Sequence, residues 1–136
     1  MTTKIFRLPA DGVDLKLPLD EAALGATGYI YARGFRNAFD MAFAPNGDLF
    51  AIDNGPDADF PDELNWIRAD LNYGFPWRFG AQDNPQQFPD YSPKTDPYIS
   101  QGAGFYAVDN KFYHNDPNYP KARGAFTDPV LNFGWT

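Results

Sequence analysis

At 136 residues with a net charge of −7 and no cysteine, the chain is sized for one domain and excludes disulfide frameworks and thiolate metal sites. Its 18 acids outnumber 11 bases, and no Lys/Arg cluster runs against that balance, which argues against a nucleic-acid partner. Twelve Gly, 13 Pro and an 18% aromatic content, without long amphipathic repeats, point to strands and loops.

Taken in chain order, residues 4–8 read as a short strand ending in the turn Pro9-Ala10-Asp11-Gly12. The N-terminus lacks a basic region followed by an apolar core, so it is not a signal peptide, and the chain reads as beginning inside a fold. A Leu-rich irregular segment, 13–28, leads to a second strand at 29–33. Met41-Ala42-Phe43-Ala44 is a third strand. Pro45-Asn46-Gly47-Asp48 follows as a tight turn whose Asn-Gly supplies positive φ. Leu49-Phe50-Ala51-Ile52 is the return strand, and 63–68 alternates polar and apolar as a half-buried strand should. The three consecutive strands predict an antiparallel meander over 41–68, the unit of a propeller blade, with Ala42, Leu49, Ile52, Leu64 and Ile67 on its buried faces. Residues 77–127, rich in Pro and aromatics, read as a long irregular insertion, and 128–136 as the start of a next element. No apolar run approaches the ~18 residues needed to span a bilayer.

Three groups of residues carry chemistry. Arg36 and Asn37 stand at a strand end, where a planar guanidinium and an amide suit an anion; the plainer reading is an Arg bracing loop carbonyls and an Asn forming an Asx turn. The loop from Asp53 to Glu63 carries five carboxylates, a density that suits either a solvated acidic turn or calcium, the hard cation that takes oxygen ligands. The acids do not follow EF-hand spacing. His114, the one histidine, lies in an Asn-Asp-Pro turn without a neighbouring nucleophile or metal ligand, and reads as structural. No phosphate loop, GxSxG elbow or HExxH occurs.

Gly34, Arg36, Asn37, Ala42, Phe43, Gly55, Pro56, Asp62, Glu63, Asn65, Asn72, Tyr73, Gly74 and Pro76 occur in the order of the signature of the soluble pyrroloquinoline-quinone (PQQ)-dependent sugar dehydrogenases, and the stretch 34–77 closely resembles that glucose/sorbosone dehydrogenase family. The resemblance implies an all-β fold: about one and a half blades of a six-bladed β-propeller, with residues 4–76 forming blade strands and site loops. It implies that Arg36 and Asn37 contact PQQ and that the Gly55 and Pro56 carbonyls ligate calcium. Asp62, Glu63 and the Tyr73 carbonyl would correspond to a second, structural calcium position. The activity implied is oxidation of a sugar by hydride transfer to PQQ, with an external electron acceptor, in a periplasmic or extracellular protein. A non-catalytic propeller that binds carbohydrate or protein is the alternative. Departures are Ala38 for Pro, Asp40 for Gly, Phe75 for Trp, and two extra residues near Phe60-Pro61. The family's catalytic histidine precedes the Arg-Asn motif, and no histidine precedes Gly34 here. The expectation is therefore a fragment with no catalytic residue of its own, inactive alone and prone to self-association through open propeller edges.

Overall fold

The computed structural model describes residues 3–55, 61–84 and 126–134. Over these residues it is all-β, with one short helix. In order come β1 (Thr3–Phe6), α1 (Glu21–Ala26), β2 (Ile30–Phe35), β3 (Ala38–Phe43), β4 (Leu49–Asp53), β5 (Glu63–Ile67), β6 (Arg78–Phe79), β7 (Gln82–Asp83) and β8 (Leu131–Asn132). β1 and β2 pair, β6 and β7 form a minimal hairpin, and the central sheet has the order β3-β4-β5-β8. All these pairings are antiparallel.

The expected meander is present, and no helix intrudes on 41–52. Its hairpin differs in detail. Gly47 N–H donates to the Ala44 carbonyl at 2.9 Å and Ala44 N–H to the Asp48 carbonyl at 2.8 Å. Gly47 has φ +90°, whereas Asn46 is not left-handed. Only one residue of the Asn-Gly pair therefore supplies positive φ, the pattern of a three-residue loop closed by a glycine bulge. Asn46 instead uses its side chain, accepting from Asp48 N–H and donating to the Asp48 carboxylate.

The residues expected on the buried faces divide between two faces: Leu49 and Ile67 lie on the covered one, and Ala42, Ile52 and Leu64 on the other. In β4 and β5 the aligned pairs Leu49–Ile67, Ala51–Asn65 and Asp53–Glu63 share one face, and Phe50–Trp66 and Ile52–Leu64 share the other. The first face is the covered one. Ala51, Asp53, Glu63, Asn65 and Ile67 are buried, Leu49 is half-buried, and Ile5, Ala32, Phe35 and Tyr73 join the core. Ile52 and Ala42 are exposed and Leu64 is half-buried. An alternating strand shows which residues share a face. Here Asp53 and Glu63 face inward, where they accept from the backbone N–H groups of Arg36, Asn37 and Gly80.

Two further differences concern elements. Residues 21–26, read as irregular, form a helix capped by Asp20, whose carboxylate accepts from Ala23 N–H at 2.8 Å. Leu131–Asn132, read as the opening of a next element, instead pairs with β5 as the fourth strand of the sheet. Arg78 binds the Asp128 carboxylate through Nε and Nη2, tying this return segment to β6. Most of the expected insertion, with His114, lies outside the described residues.

The Asn72-Tyr73-Gly74 stretch runs alongside β2. Asp70 N–H donates to the Tyr31 carbonyl, Arg33 N–H to Leu71, Tyr73 N–H to Arg33 and Phe75 N–H to Gly34, at 2.8–3.1 Å. The approach is so close that a Cβ on Gly34 would lie 2.1 Å from Asn72 Oδ1 and 2.7 Å from the Gly74 nitrogen. Gly34 also has φ +83°. A paired substitution measures this junction. Gly47→Ala meets nothing within 4 Å and should cost only the left-handed strain, about 1–2 kcal/mol. Gly34→Ala adds a backbone clash and should cost about 3 kcal/mol or more in urea unfolding. Equal losses at the two positions would show that the junction yields without cost.

Candidate functional site

The chemistry-bearing residues gather where β2 turns into β3, beside the end of β4. Phe35 ends one strand and Ala38 begins the next, so Arg36 and Asn37 make the whole connection. Ala38 is aligned with Asp53, and the register shift between Ala38 and Asp40 accommodates Phe39 as an extra residue. That register sets the Asp53 carboxylate against both amides of the turn: Arg36 N–H donates to Oδ2 at 2.9 Å and Asn37 N–H to Oδ1 at 2.6 Å. Asn54 N–H donates to the Asn37 carbonyl at 3.2 Å, and the Thr3 hydroxyl to the Arg36 carbonyl at 3.0 Å. The Arg36 side chain reaches across to the next loop, donating from Nη1 to the Asn54 carbonyl at 3.0 Å. Bracing of a loop carbonyl, the plainer reading of this arginine, thus occupies part of its five-donor fork.

Asp62 accepts from Gly55 N–H at 2.7 Å, which fixes the start of the acidic loop, and Pro56 lies outside the described residues. Glu63 points into the covered face. Its Oε1 accepts from Gly80 N–H at 2.6 Å and its Oε2 from Asn65 Nδ2 at 3.0 Å. The Tyr73 hydroxyl donates to the Trp66 carbonyl and accepts from Arg68 N–H, and its ring stacks on Phe35 with centroids 4.7 Å apart. No hydrogen bond or ion pair among the described residues joins Tyr73 to Asp62 or Glu63. Nor does any group of three or more Asp, Glu or His side chains among the described residues converge to hold a metal. Asp40 accepts from the N–H of Met41 in its own strand and is aligned with Ile52, not with Asp53.

Sequence reasoning named Asp53 among the loop acids and Asn65 in the signature but gave neither a role of its own. The signal for Asp53 was its phase: it alternates with the buried Ala51 and ends the strand facing the turn. Burial raises its carboxyl above the usual range, and the two turn amides pull it back. Burial pushes the Glu63 carboxyl up to about 7, against the hydrogen bonds from Asn65 and Gly80. Asn65 Oδ1 is buried with no partner.

The donor set at 36–37, a guanidinium and an exposed side-chain amide on a turn whose backbone is already fixed, suits a planar carboxylated ligand. Taken together, fold and site define an all-β scaffold that places a guanidinium and an exposed side-chain amide beside the Asn54–Gly55 loop at one end of a sheet. Comparison with known proteins makes the class specific. Residues 2–122 match the family model described as Glucose / Sorbosone dehydrogenase, and the chain belongs to that family. Over 82 residues it is 39% identical to quinoprotein glucose dehydrogenase B of Acinetobacter calcoaceticus, a stretch that is 60% of this chain and 16% of that protein. The family of oxidoreductases read from 34–77 is thus the one found. Among the described residues, no helix is long and apolar enough to cross a membrane.

Glu63 gives the site a measurable pH signature in the metal-free protein. Its folded value of about 7 exceeds the ordinary 4.5, so the fold holds this proton more tightly than the unfolded chain does. Stability from this group is fully present below 4.5 and is lost as pH rises through 7, a difference of roughly 3 kcal/mol. Burial of Asp53 acts in the same direction. Glu63→Gln should flatten the profile between pH 4.5 and 7 and raise the melting temperature at pH 8. Its Nε2 would face Asn65 Nδ2, so the Asn65 amide has to turn over for its Oδ1 to accept that donor. Thermal melts across that range decide the matter; a variant that tracks the wild-type profile would assign the pH dependence elsewhere.

Proposed function

We propose that the protein is a quinoprotein sugar dehydrogenase that oxidises a sugar hydroxyl by hydride transfer to PQQ with calcium assistance. The observation that carries this reading is the Arg36–Asn37 turn, locked by Asp53 and braced to the Asn54 carbonyl. Arg36 and Asn37 would hold carboxylates of PQQ, and the Gly55 and Pro56 carbonyls would ligate calcium. PQQ would supply the two-electron acceptor and calcium would polarise it. Asp62 sets the Gly55 end of that loop by accepting its N–H, a duty consistent with aiming neighbouring carbonyls at a cation. A second calcium at Asp62, Glu63 and the Tyr73 carbonyl would have to compete with the bonds these acids already accept.

In this reading β3-β4-β5-β8 is one four-stranded blade of a six-bladed propeller and β1-β2 belongs to its neighbour. Phe39, Met41 and Phe43, exposed at 75%, 49% and 75%, are then side chains that further blades would cover. The sugar and an external electron acceptor are its partners, and the periplasm or extracellular space its location. Support comes from family membership and from the relative named above, of whose length the chain spans 16%.

Arg36 stays protonated and cannot take the proton of the sugar hydroxyl. No histidine precedes Gly34. The 136-residue chain alone, supplied with PQQ and calcium, should therefore bind the quinone weakly, associate through its exposed strands and give no dye-linked sugar oxidation. In the intact protein, Arg36→Ala should weaken PQQ binding by roughly ten- to a hundredfold, the worth of a charge-assisted hydrogen bond. Unchanged PQQ affinity in that variant would remove the arginine from the site. Turnover by the isolated chain that is lost in His114→Ala would make His114 the base.

A further inference from the structure

We propose that Asp53 is a positioning residue for the quinone turn: its carboxylate presets the direction in which Arg36 and Asn37 present their side chains. The inference rests on the reading that these two residues contact PQQ, and it assigns a duty to a residue that contacts neither quinone nor metal in that reading. Three observations carry it. Asp53 is fully buried at the last position of β4. Its two oxygens accept separately from the two successive N–H groups of the connection, at 2.9 and 2.6 Å. The next residue, Asn54, closes the arrangement from both sides, donating its N–H to the Asn37 carbonyl and accepting from Arg36 Nη1.

The geometry demands a carboxylate. Two adjacent donors need two acceptors at fixed separation, and an amide offers one acceptor and one donor. With both N–H groups held, the two-residue turn has little freedom left, so the ordering of Arg36 is settled before a ligand arrives. A buried charge used only for stability would be a poor choice, since its desolvation works against folding. Positioning explains why it is kept.

The test measures PQQ binding to the purified intact protein without sugar, by equilibrium dialysis, alongside melting temperature and amide hydrogen exchange. Asp53→Asn should weaken PQQ binding roughly ten- to a hundredfold. The Arg36 and Asn37 amides should exchange faster while the β4–β5 ladder keeps its protection, and the melting temperature should fall modestly, because one turn N–H then faces an amide NH2. Asp53→Glu, which returns two acceptors one methylene displaced, should fall between Asp53→Asn and wild type. Asp11→Asn, the same charge change at an exposed turn, should bind PQQ as wild type does. Arg36→Ala separates the two layers of the argument. If Arg36→Ala weakens binding and Asp53→Asn does not, Asp53 positions nothing and the quinone reading survives. If neither changes affinity, the quinone reading falls and this inference with it. Should Asp53→Asn fail to fold, Asp53→Glu decides: a lowered melting temperature with unchanged PQQ affinity is a purely structural role and overturns the proposal.

Discussion

The buried carboxylate of Asp53 is the constraint around which the rest of this end of the molecule is arranged. A fully buried acid is costly unless its oxygens are met, and here they are met by the only two residues that separate β2 from β3. The bond pair fixes where β2 stops, where β3 starts and how β3 aligns with β4. Once Ala38 must sit opposite Asp53, the extra residue Phe39 has to be absorbed as an irregularity, and the register resumes with Asp40 opposite Ile52. A local electrostatic requirement thereby sets a sheet register over the whole of β3.

The same requirement inverts the ordinary pattern of a half-buried sheet. Asp53, Glu63 and Asn65 occupy the covered face, while Phe50, Ile52, Leu64 and Trp66 line the other. The covered face tolerates polar groups because the layer above it brings small or flat apolar residues, Ala32, Phe35 and Tyr73, together with backbone donors from Arg36, Asn37 and Gly80. Tyr73 serves both needs: its ring stacks on Phe35, and its hydroxyl closes the Trp66–Arg68 backbone. An imperfect point on this face is Asn65 Oδ1, buried without a donor among the described residues. It lies beside the most strongly perturbed carboxyl of the face, where a proton on Glu63 relieves the desolvation that a charge there would suffer.

What could be read from the chain follows from which interactions are local. The strands of the meander and its hairpin were legible because alternation and the Asn46-Gly47 turn are encoded within a few residues. Helix α1 was carried by a local signal too, Asp20 before Glu21-Ala22-Ala23-Leu24, but its six residues sit in a Leu-rich stretch that gives no clear helical period. The phase of the sheet was not legible. Choosing between the Ala51 face and the Ile52 face depends on β2 and on donors far along the chain, so the expected buried residues were drawn from both faces. β8 was similarly hidden, because Leu131 and Asn132 become a strand only through β5, whose partner residues lie more than sixty positions earlier. At the site, residue types pointed to Arg36 and Asn37, whereas Asp53 reads as one acid among five until the register shows where it faces.

That register also bears on how the two proposed binding functions relate. Arg36 does not stand apart from the acidic loop; its guanidinium holds the Asn54 carbonyl one residue before Gly55. Asp62 holds Gly55 from the other side. The turn proposed for a carboxylated ligand and the loop proposed for a cation are therefore joined by direct hydrogen bonds through Asp53 and Asn54. An anion and a cation bound side by side at such a junction would each tighten the conformation the other requires, through order already present and not through a new contact. Binding of the two should then be mutually reinforcing, by the reciprocity that governs any pair of linked sites. The dependence on Asp53 is what distinguishes this from simple charge attraction between neighbouring ligands, because attraction between the ligands alone would survive the loss of a carboxylate that touches neither of them.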